Sequence, residues 1–294
     1  MTTYSKRIFI TSGTTFIPPN DFNAASNLIE VYGSSVTRLA SSVDAPSGAA
    51  YASGTNIPVL PGHIVNIGIG TPSGTTDSWF NATSLANAVS QGSTLAVAAQ
   101  GAFYSLSFSV WFSTPGADVS SVGNLLTYSG GLGGSASSSG GGGGAAAGPN
   151  GKGADGHAAA NTGGGGGGGC NGGSSATGNS GEFGGNNRLG AGGSTSPLSP
   201  GTSGGGGCGG HNVSGERNGS AGSLDDIYGD GIHGPGSGGG AADASGTDGG
   251  NAGGYGAGGG GWGNQSVKNN GTSSGGLIVV NYNPLYGVDS LLIG

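Results

Sequence analysis

Large apolar side chains alternate with small or polar ones in several short stretches of the chain before residue 129. In residues 64–69, valine and isoleucine alternate with asparagine and glycine, which is the period of a half-buried β-strand. Residues 6–17 and 28–32 contain similar strand-forming runs. A Pro61-Gly62 turn lies between residues 50–57 and residues 64–69. These patterns predict short strands, with residues 50–57 and 64–69 paired across that turn.

Residues 103–113 alternate most regularly, with serines on one side and large side chains on the other, and they are predicted to be one strand. Its large side chains are Tyr104, Leu106, Phe108, Val110 and Phe112. No stretch has the period of an amphipathic helix, although residues 84–89 have the composition for one helical turn. The fold is therefore predicted to be all-β with no significant α-helix, and residues 1–128 to be a small antiparallel β-sandwich or barrel.

A strongly apolar run at residues 277–282 (Leu-Ile-Val-Val-Asn-Tyr) is separated from the earlier strands by a long glycine-rich region. A lone buried strand needs partners in a sheet, and the candidate partners all lie before residue 130. The chain is therefore predicted to leave the sheet and return to it. This gives three parts: a β-domain at 1–128, a glycine-rich insertion at 129–276, and a returning strand with a C-terminal extension at 277–294.

The inserted region holds about 60 of the 74 glycines, including a run of seven at residues 163–169. Glycine has no side chain to bury, so an ordinary core cannot form there. The ordered alternative is a bundle of extended polyglycine-II helices with three residues per turn and a rise of about 3.1 Å per residue. A flexible linker is the competing interpretation. The returning strand and the low share of charged residues, 7%, favour the ordered bundle.

The overall charge narrows the list of partners. A net charge of −7 with seven scattered basic residues argues against a nucleic-acid partner. No apolar run is long enough to cross a membrane, and the N-terminus lacks the apolar stretch of a signal peptide. Synthesis in a cytoplasm is therefore expected. Gly-x-Gly-x-x-Gly at 151–156 lacks the strand and helix of a dinucleotide site, so neither an enzyme nor a cofactor is predicted.

Two cysteines, Cys170 and Cys208, each adjoin a glycine run. One interpretation is a pair of small, reduced, buried residues. The other is a disulfide between two glycine segments, which would suit a particle exposed to an oxidising exterior. A metal site would need more ligands at closer spacing, and none is predicted.

Charged and polar side chains are concentrated between the glycine runs, and residues 224–233 are the densest cluster. This segment has three carboxylates, and it could bind a hard cation, be a solvated loop, or display a contact for a cell-surface ligand. Aromatic residues among glycines cannot face the interior of a bundle and suit contacts with sugars or proteins. The candidate contact residues are Glu182, Phe183, Arg188, His211, Arg217, Asp225, Asp226, Tyr228, His233, Tyr255 and Trp262.

An ordered series of motifs resembles the glycine-rich domain proteins of bacteriophage tails and prophages. It comprises the Phe-Ile-Thr-Ser-Gly start at residue 9, Asn-Leu-Ile-Glu-Val-Tyr at 27, Pro-Gly-x-x-Val-x-Ile at 61, Trp-Phe-Asn at 79 and the closing Gly-Gly-Leu-Ile-Val-Val-Asn-Tyr at 275. The chain departs from the family's pattern at residues 34–47, which lack a glycine run, and at 102–120, which are rich in aromatic residues.

The resemblance implies a virion component of the tail fibre or tip, with other tail proteins as partners. Tip adhesins of similar composition display receptor-binding loops on polyglycine-II bundles, which implies contact with a host-surface glycan or outer-membrane protein. A homotrimer is the oligomer that the resemblance implies. The alternative is a purely structural part such as a collar, sleeve or capsid decoration, with residues 182–188 and 211–233 buried between subunits. An ice-binding protein would need a stricter three-residue period than these runs show.

Overall fold

A computed structural model describes residues 4–37, 45–107, 110–118, 120–135, 139–159, 163–177, 183–194, 199–210, 218–245, 248–262 and 270–285. Within these residues the chain forms eleven strands and one short helix. In chain order they are β1 (Lys6–Ile10), β2 (Thr15–Phe16), β3 (Asn27–Tyr32), β4 (Tyr51–Thr55), β5 (Val65–Gly68), β6 (Ser78–Phe80), α1 (Leu85–Gln91), β7 (Val97–Ala99), β8 (Phe103–Ser107), β9 (Val110–Thr114), β10 (Leu126–Tyr128) and β11 (Leu277–Tyr282).

The larger sheet has five antiparallel strands in the order β1-β11-β3-β4-β10. The last strand, β11, lies between β1 and β3, so that Val280 is opposite Ile8 on one side and Ile29 on the other. All six residues of β11 are buried. The prediction that the chain returns to pair with its beginning is confirmed.

The second sheet has the order β2-β5-β6-β7, and β8 and β9 form a separate hairpin. One predicted pairing and one predicted strand are wrong. Strand β4 pairs with β3 and β10, not with β5, because the connection that contains Pro61-Gly62 passes from one sheet to the other. Residues 103–113 are not one strand but two, with Phe103 opposite Thr114.

Both sheets contribute to one apolar core. Ile29 and Val31 of the larger sheet share it with Val65 and Ile67 of the second sheet, because these side chains alternate toward the space between the sheets. The remaining buried members are Phe22, Ala52, Ile57, Val59, Phe80, Val97, Ala99, Ile278, Val280 and Tyr282. The coarse prediction of a mostly β fold with antiparallel sheets is confirmed.

The short helix α1 lies where residues 84–89 have the composition for one helical turn. The hydroxyl of Ser84 accepts a hydrogen bond of 3.0 Å from the Asn87 N–H, which caps the first turn. Gly92 ends the helix at a positive φ of 87°, which glycine adopts without a steric penalty. At seven residues the helix, the sole one in the part of the chain described, is too short to cross a membrane.

The glycine region, residues 129–276, is held together by backbone hydrogen bonds between distant segments. In residues 140–147, donors three residues apart bond the same neighbouring segment, and the donors between them bond two other segments. The donor–acceptor pairs to the first neighbour are Gly140–Ala242, Gly143–Gly239 and Ala146–Gly236; those to the second are Gly142–His157 and Ala145–Ala154; those to the third are Gly144–Pro46 and Ala147–Ala49.

Close approach of these segments explains why glycine is needed. A Cβ atom on Gly167 would lie 2.0 Å from the carbonyl oxygen of Gly238, and one on Gly168 would lie 2.0 Å from that of Ala154. Both neighbours are backbone atoms, which cannot move aside as a flexible side chain can. In the part of this region that the structure describes, backbone therefore packs against backbone.

The glycine segments run back and forth between two ends. At the sheet-side end, Ala147 packs with Tyr32 of the larger sheet. At the far end, the Gly140 N–H bonds the carbonyl of Ala242, and the Ala242 N–H bonds that of Gly261. The larger sheet thus has the second sheet on one face and the glycine region on the other.

Candidate functional site

The predicted contact loop at residues 224–233 lies at the sheet-side end and packs against β1. The hydroxyl groups of Tyr228 and Tyr32 share a hydrogen bond of 2.8 Å. Arg7 donates to the carbonyl oxygen of Tyr228 at 3.1 Å, and its guanidinium lies 4.7 Å from the centre of the Tyr228 ring. Tyr228, one of the predicted receptor contacts, therefore anchors the loop to the sheet.

His233 is enclosed by two aromatic rings at the same place. Its ring stacks on Phe9 with 3.9 Å between the centroids and on Tyr255 with 5.8 Å. Its Nδ1 lies 2.7 Å from a carboxylate oxygen of Asp230. Although desolvation acts against it, hydrogen bonds from the backbone and ring of His233 and the backbone of Ile232 lower the pKa of Asp230 to about 2.

A buried carboxylate lies in the sheet beside this cluster. Glu30 accepts hydrogen bonds from the Tyr51 hydroxyl at 2.9 Å and from the Asn281 side-chain amide at 2.8 Å. The Arg7 Nε–H in turn donates to the side-chain oxygen of Asn281 at 2.7 Å. Burial raises the pKa of Glu30, and the hydrogen bonds only partly offset that shift.

Asp225, another predicted contact residue, is buried and only 1% exposed. One carboxylate oxygen accepts from the side-chain amides of Asn171 at 2.7 Å and Asn187 at 2.9 Å. The Asn187 amide also lies 3.6 Å from the sulfur of Cys170. The cluster joins three turns at the sheet-side end of the glycine region.

Both cysteines are free and buried, as the first of the two interpretations predicts, and they form no disulfide. The Cys170 thiol points at the carbonyls of Gly204 and Pro235, each 3.4 Å away. Burial raises the pKa of both thiols, which keeps them protonated and unreactive. They act as small packing residues in the glycine region.

The other predicted contact residues are spread over the molecule. Asp226 and Arg188 are exposed near the sheet-side turns, and Phe183 is 46% exposed. Trp262 is half-buried at the far end, where its carbonyl oxygen faces Gly140. Glu182, His211 and Arg217 lie outside the described residues. Tyr255 is half-buried and belongs to the stacked cluster with His233.

The sequence analysis missed the polar residues of the sheet that meet the docked loop. Glu30 carried a usable signal, because a carboxylate in the middle of the apolar strand β3 needs partners on neighbouring strands. Asn281 in β11 carried the same signal. No group of three His, Cys, Asp or Glu side chains suited to a metal occurs among the residues described.

An exposed apolar face lies on the second sheet. Ile64, Ile17 and Leu60 are each more than half exposed, with Ile64 at 71%. Phe16 pairs with Val65 and both face the core, so Ile17 and Ile64, one position further on each strand, face away from it. This apolar face is therefore on the opposite side of the molecule from the glycine region.

No family model, curated protein or solved structure matches this chain. Three features of the molecule bear on function. Loop 224–233 is hydrogen-bonded to the larger sheet at the sheet-side end, an exposed apolar face lies on the second sheet, and the tips of the glycine segments form the far end.

Proposed function

We propose that the chain is a non-enzymatic virion protein of a bacteriophage tail that displays host-contact residues on a rigid glycine bundle. The observation that carries the proposal is the three-residue period of the hydrogen bonds in the glycine region. A polyglycine-II helix has three residues per turn and no internal hydrogen bonds, so its N–H groups point at three neighbours in rotation.

The interior segment at residues 235–243 supports the assignment of polyglycine II. Its N–H groups bond three different segments in turn, and donors to the same segment are three residues apart. The donor–acceptor pairs are Gly236–Tyr255, Gly239–Gly258 and Ala242–Gly261; Ser237–Ser223 and Gly240–Ser220; Gly238–Gly168 and Ala241–Gly165. A β-sheet would instead bond two neighbours in one plane. A bundle bonded in several directions resists bending, as a display scaffold requires.

The two sheets that share one core support a β-sandwich as the base of this scaffold. The glycine region leaves the base after β10 and returns to it at β11, so both of its ends are fixed at the sheet-side end. The far end is therefore the part of the glycine region most distant from the base. We assign host contact to the far end.

Two features support contact at the far end. Trp262 lies there and is partly exposed. Gly210 and Gly219 lie there as well, bonded to Ala241 and Asp248, so the connection that carries His211 and Arg217 starts and ends at this level. A host-surface glycan or outer-membrane protein is the partner that the resemblance implies for such residues.

The base is proposed to join the rest of the particle. Its exposed apolar face of Ile17, Leu60 and Ile64 is suited to packing against a neighbouring copy of the chain. A trimer is the symmetric oligomer that the resemblance implies, with other tail proteins as further partners. The protein would be made in the host cytoplasm and then be part of the virion.

Binding of the labelled protein to cells of the host strain tests host contact. Trp262→Ala and a variant with residues 211–217 replaced by glycine and serine at equal length alter the far end. Asn150→Ala and Lys152→Ala are matched changes at exposed sheet-side positions outside the predicted contact residues. We expect the far-end variants to lose at least about tenfold in cell binding, which corresponds to about 1.4 kcal/mol.

The sheet-side controls should bind as the unaltered protein does. Equal binding by all four variants would contradict host contact at the far end. Absence of binding by the unaltered protein would instead favour the purely structural alternative, a collar, sleeve or capsid decoration.

A further inference from the structure

The exposed apolar face of the second sheet is formed by three residues that lie next to one another. Ile17 and Ile64 continue the β2–β5 register, which places them opposite each other. The Gly62 N–H donates to the Pro18 carbonyl oxygen at 2.9 Å and holds the turn after Leu60 beside this pair. All three apolar side chains are more than half exposed. Covering the face would therefore remove a continuous apolar surface from water.

The described chain ends close to this face. The Asn283 N–H donates to the Ser26 carbonyl oxygen at 3.0 Å. Leu285, the last residue described, donates its N–H to the Asp21 carbonyl oxygen at 2.8 Å. Asp21 follows Ile17 by four positions, which span at most about 14 Å. Since hydrogen-bonded segments lie about 5 Å apart, Leu285 is within about 20 Å of Ile17.

Residues 286–294, outside the described part of the chain, have the composition of a segment that covers an apolar surface. They read Tyr-Gly-Val-Asp-Ser-Leu-Leu-Ile-Gly, with an apolar run at Leu291, Leu292 and Ile293 and a single acidic residue. The six positions from Leu285 to Leu291 span about 20 Å when extended, and the whole segment spans about 30 Å. The apolar run is therefore long enough to reach the face from Leu285.

We propose that residues 286–294 fold back and cover the apolar face of the same chain, with residues 291–293 packed against Ile17 and Ile64. A segment tethered at Leu285 has an effective concentration on the order of millimolar. Its docking also avoids the translational entropy that two associating molecules lose. A stable contact between two copies involves about 20 to 30 residues on each side, and three residues form this face. The face therefore suits a short tethered segment better than a second copy.

A covered face limits contacts between copies of the chain. A neighbouring copy that packs on the same face in a particle would have to displace residues 286–294. The segment therefore keeps the face closed in the free protein. This contact within one chain does not depend on a role in a phage tail.

Disulfide trapping in the whole chain tests the contact. Ile64→Cys is combined with Leu291→Cys or with Leu292→Cys, because neighbouring side chains of an extended segment point to opposite sides. The native thiols of Cys170 and Cys208 are buried and unreactive. Under mild oxidation we expect at least one pair to form a disulfide within one chain in more than about half of the molecules. Non-reducing electrophoresis and mass spectrometry of the linked peptides measure the yield.

Asn150→Cys is the matched control for Ile64→Cys. Asn150 is exposed in the glycine region, which lies across the larger sheet from the second sheet. Its combination with Leu292→Cys should form at least about tenfold less disulfide, because the two sulfurs cannot approach within bonding distance. Equal yields from both positions would overturn the proposal. Disulfides that join two chains would also overturn it and would identify a second copy as the occupant of the face.

Limited cleavage by chymotrypsin reports the same contact without new cysteines. Cleavage after Tyr286 or Leu291 requires the segment to leave the face, so its rate follows the undocked fraction. Ile64→Asp places a charge in the apolar contact and should raise this rate at least about threefold. Val89→Asp, the same kind of change at an exposed valine of α1, should leave the rate unchanged. Equal rates in the unaltered protein and Ile64→Asp would show that the segment does not dock on this face.

Discussion

The sheet region and the glycine region of this chain are ordered by different interactions. The sheet region buries branched and aromatic side chains between two sheets, as Ile29 and Val65 illustrate. The glycine region brings backbones together until a Cβ on Gly167 would meet a carbonyl at 2.0 Å. One region is stabilised by apolar side-chain burial and the other by backbone hydrogen bonding and close packing.

Because of this difference, the stability of the two regions should respond oppositely to changes in side-chain volume. In the sheet region, removing atoms leaves a cavity, because the core is already filled. In the glycine region, adding atoms separates segments, because backbone occupies the space around each α-carbon. The docked Tyr228 joins the two regions, since its hydroxyl bonds Tyr32.

The largest expected effect comes from adding a side chain inside the glycine region. Gly167→Val should lower the free energy of unfolding by at least about 4 kcal/mol, because the new Cβ meets the backbone carbonyl of Gly238. Gly74→Val is the control, since Gly74 is exposed and its nearest neighbour is the Thr71 hydroxyl. Chemical denaturation measures the free energy of unfolding of both variants. Equal stability of the two variants would contradict packing of backbone against backbone.

Removing atoms from the sheet core should have a somewhat smaller effect. Ile278→Ala in β11 should cost about 3 kcal/mol, because the side chain is fully buried between the sheets. The matched control is Ile64→Ala on the exposed apolar face, which should change stability by less than about 0.5 kcal/mol in the monomer. A loss below about 1 kcal/mol for Ile278→Ala would argue against a shared core.

The smallest expected effect is a change of stability with pH that comes from Glu30. Because burial raises the pKa of Glu30 above 4.5, the folded state holds its proton to higher pH than the unfolded state does. The contribution of Glu30 to stability should therefore fall as pH rises from about 4.5 through its folded pKa, and then level off.

The difference in unfolding free energy between the unaltered protein and Glu30→Gln, measured across that pH range, isolates this contribution. Asp226→Asn is a control with an exposed carboxylate. A difference that does not change with pH would show that Glu30 is ionised equally in both states.

Several elements followed from local patterns, and others did not. The alternation of residues 64–69 identified β5, and the isolated apolar run identified β11. The partners of β11 were predictable because the sequence of the glycine region contains no other strand-forming run. The proposed pairing of β4 with β5 failed because a Pro-Gly turn specifies a bend but not which sheet the next strand joins. The composition of residues 84–89 indicated one helical turn, but seven residues carry too little periodicity to define the whole of α1.

For the candidate sites, the sequence located the functional groups but not their surroundings. Residues 224–233 were the densest cluster, yet whether Asp225 and Tyr228 face solvent depends on Asn187 and Tyr32, which are distant in the chain. Asp243 and Ser139 are buried at the far end, and no local pattern indicated this. The two residues lie on neighbouring segments only because the Gly140 N–H donates to the Ala242 carbonyl.

The amino-acid sequence by itself determined that residues 129–276 cannot form a side-chain core and that the strand at 277–282 must return to the sheet. Glycine content and apolar periodicity are local properties, so they can be read without a fold. Only the tertiary structure decided which glycine segments are neighbours and which polar groups are buried. Glycine segments contact one another through backbone N–H and C=O groups, which are the same at every glycine. Residue identity therefore does not specify which segments become neighbours.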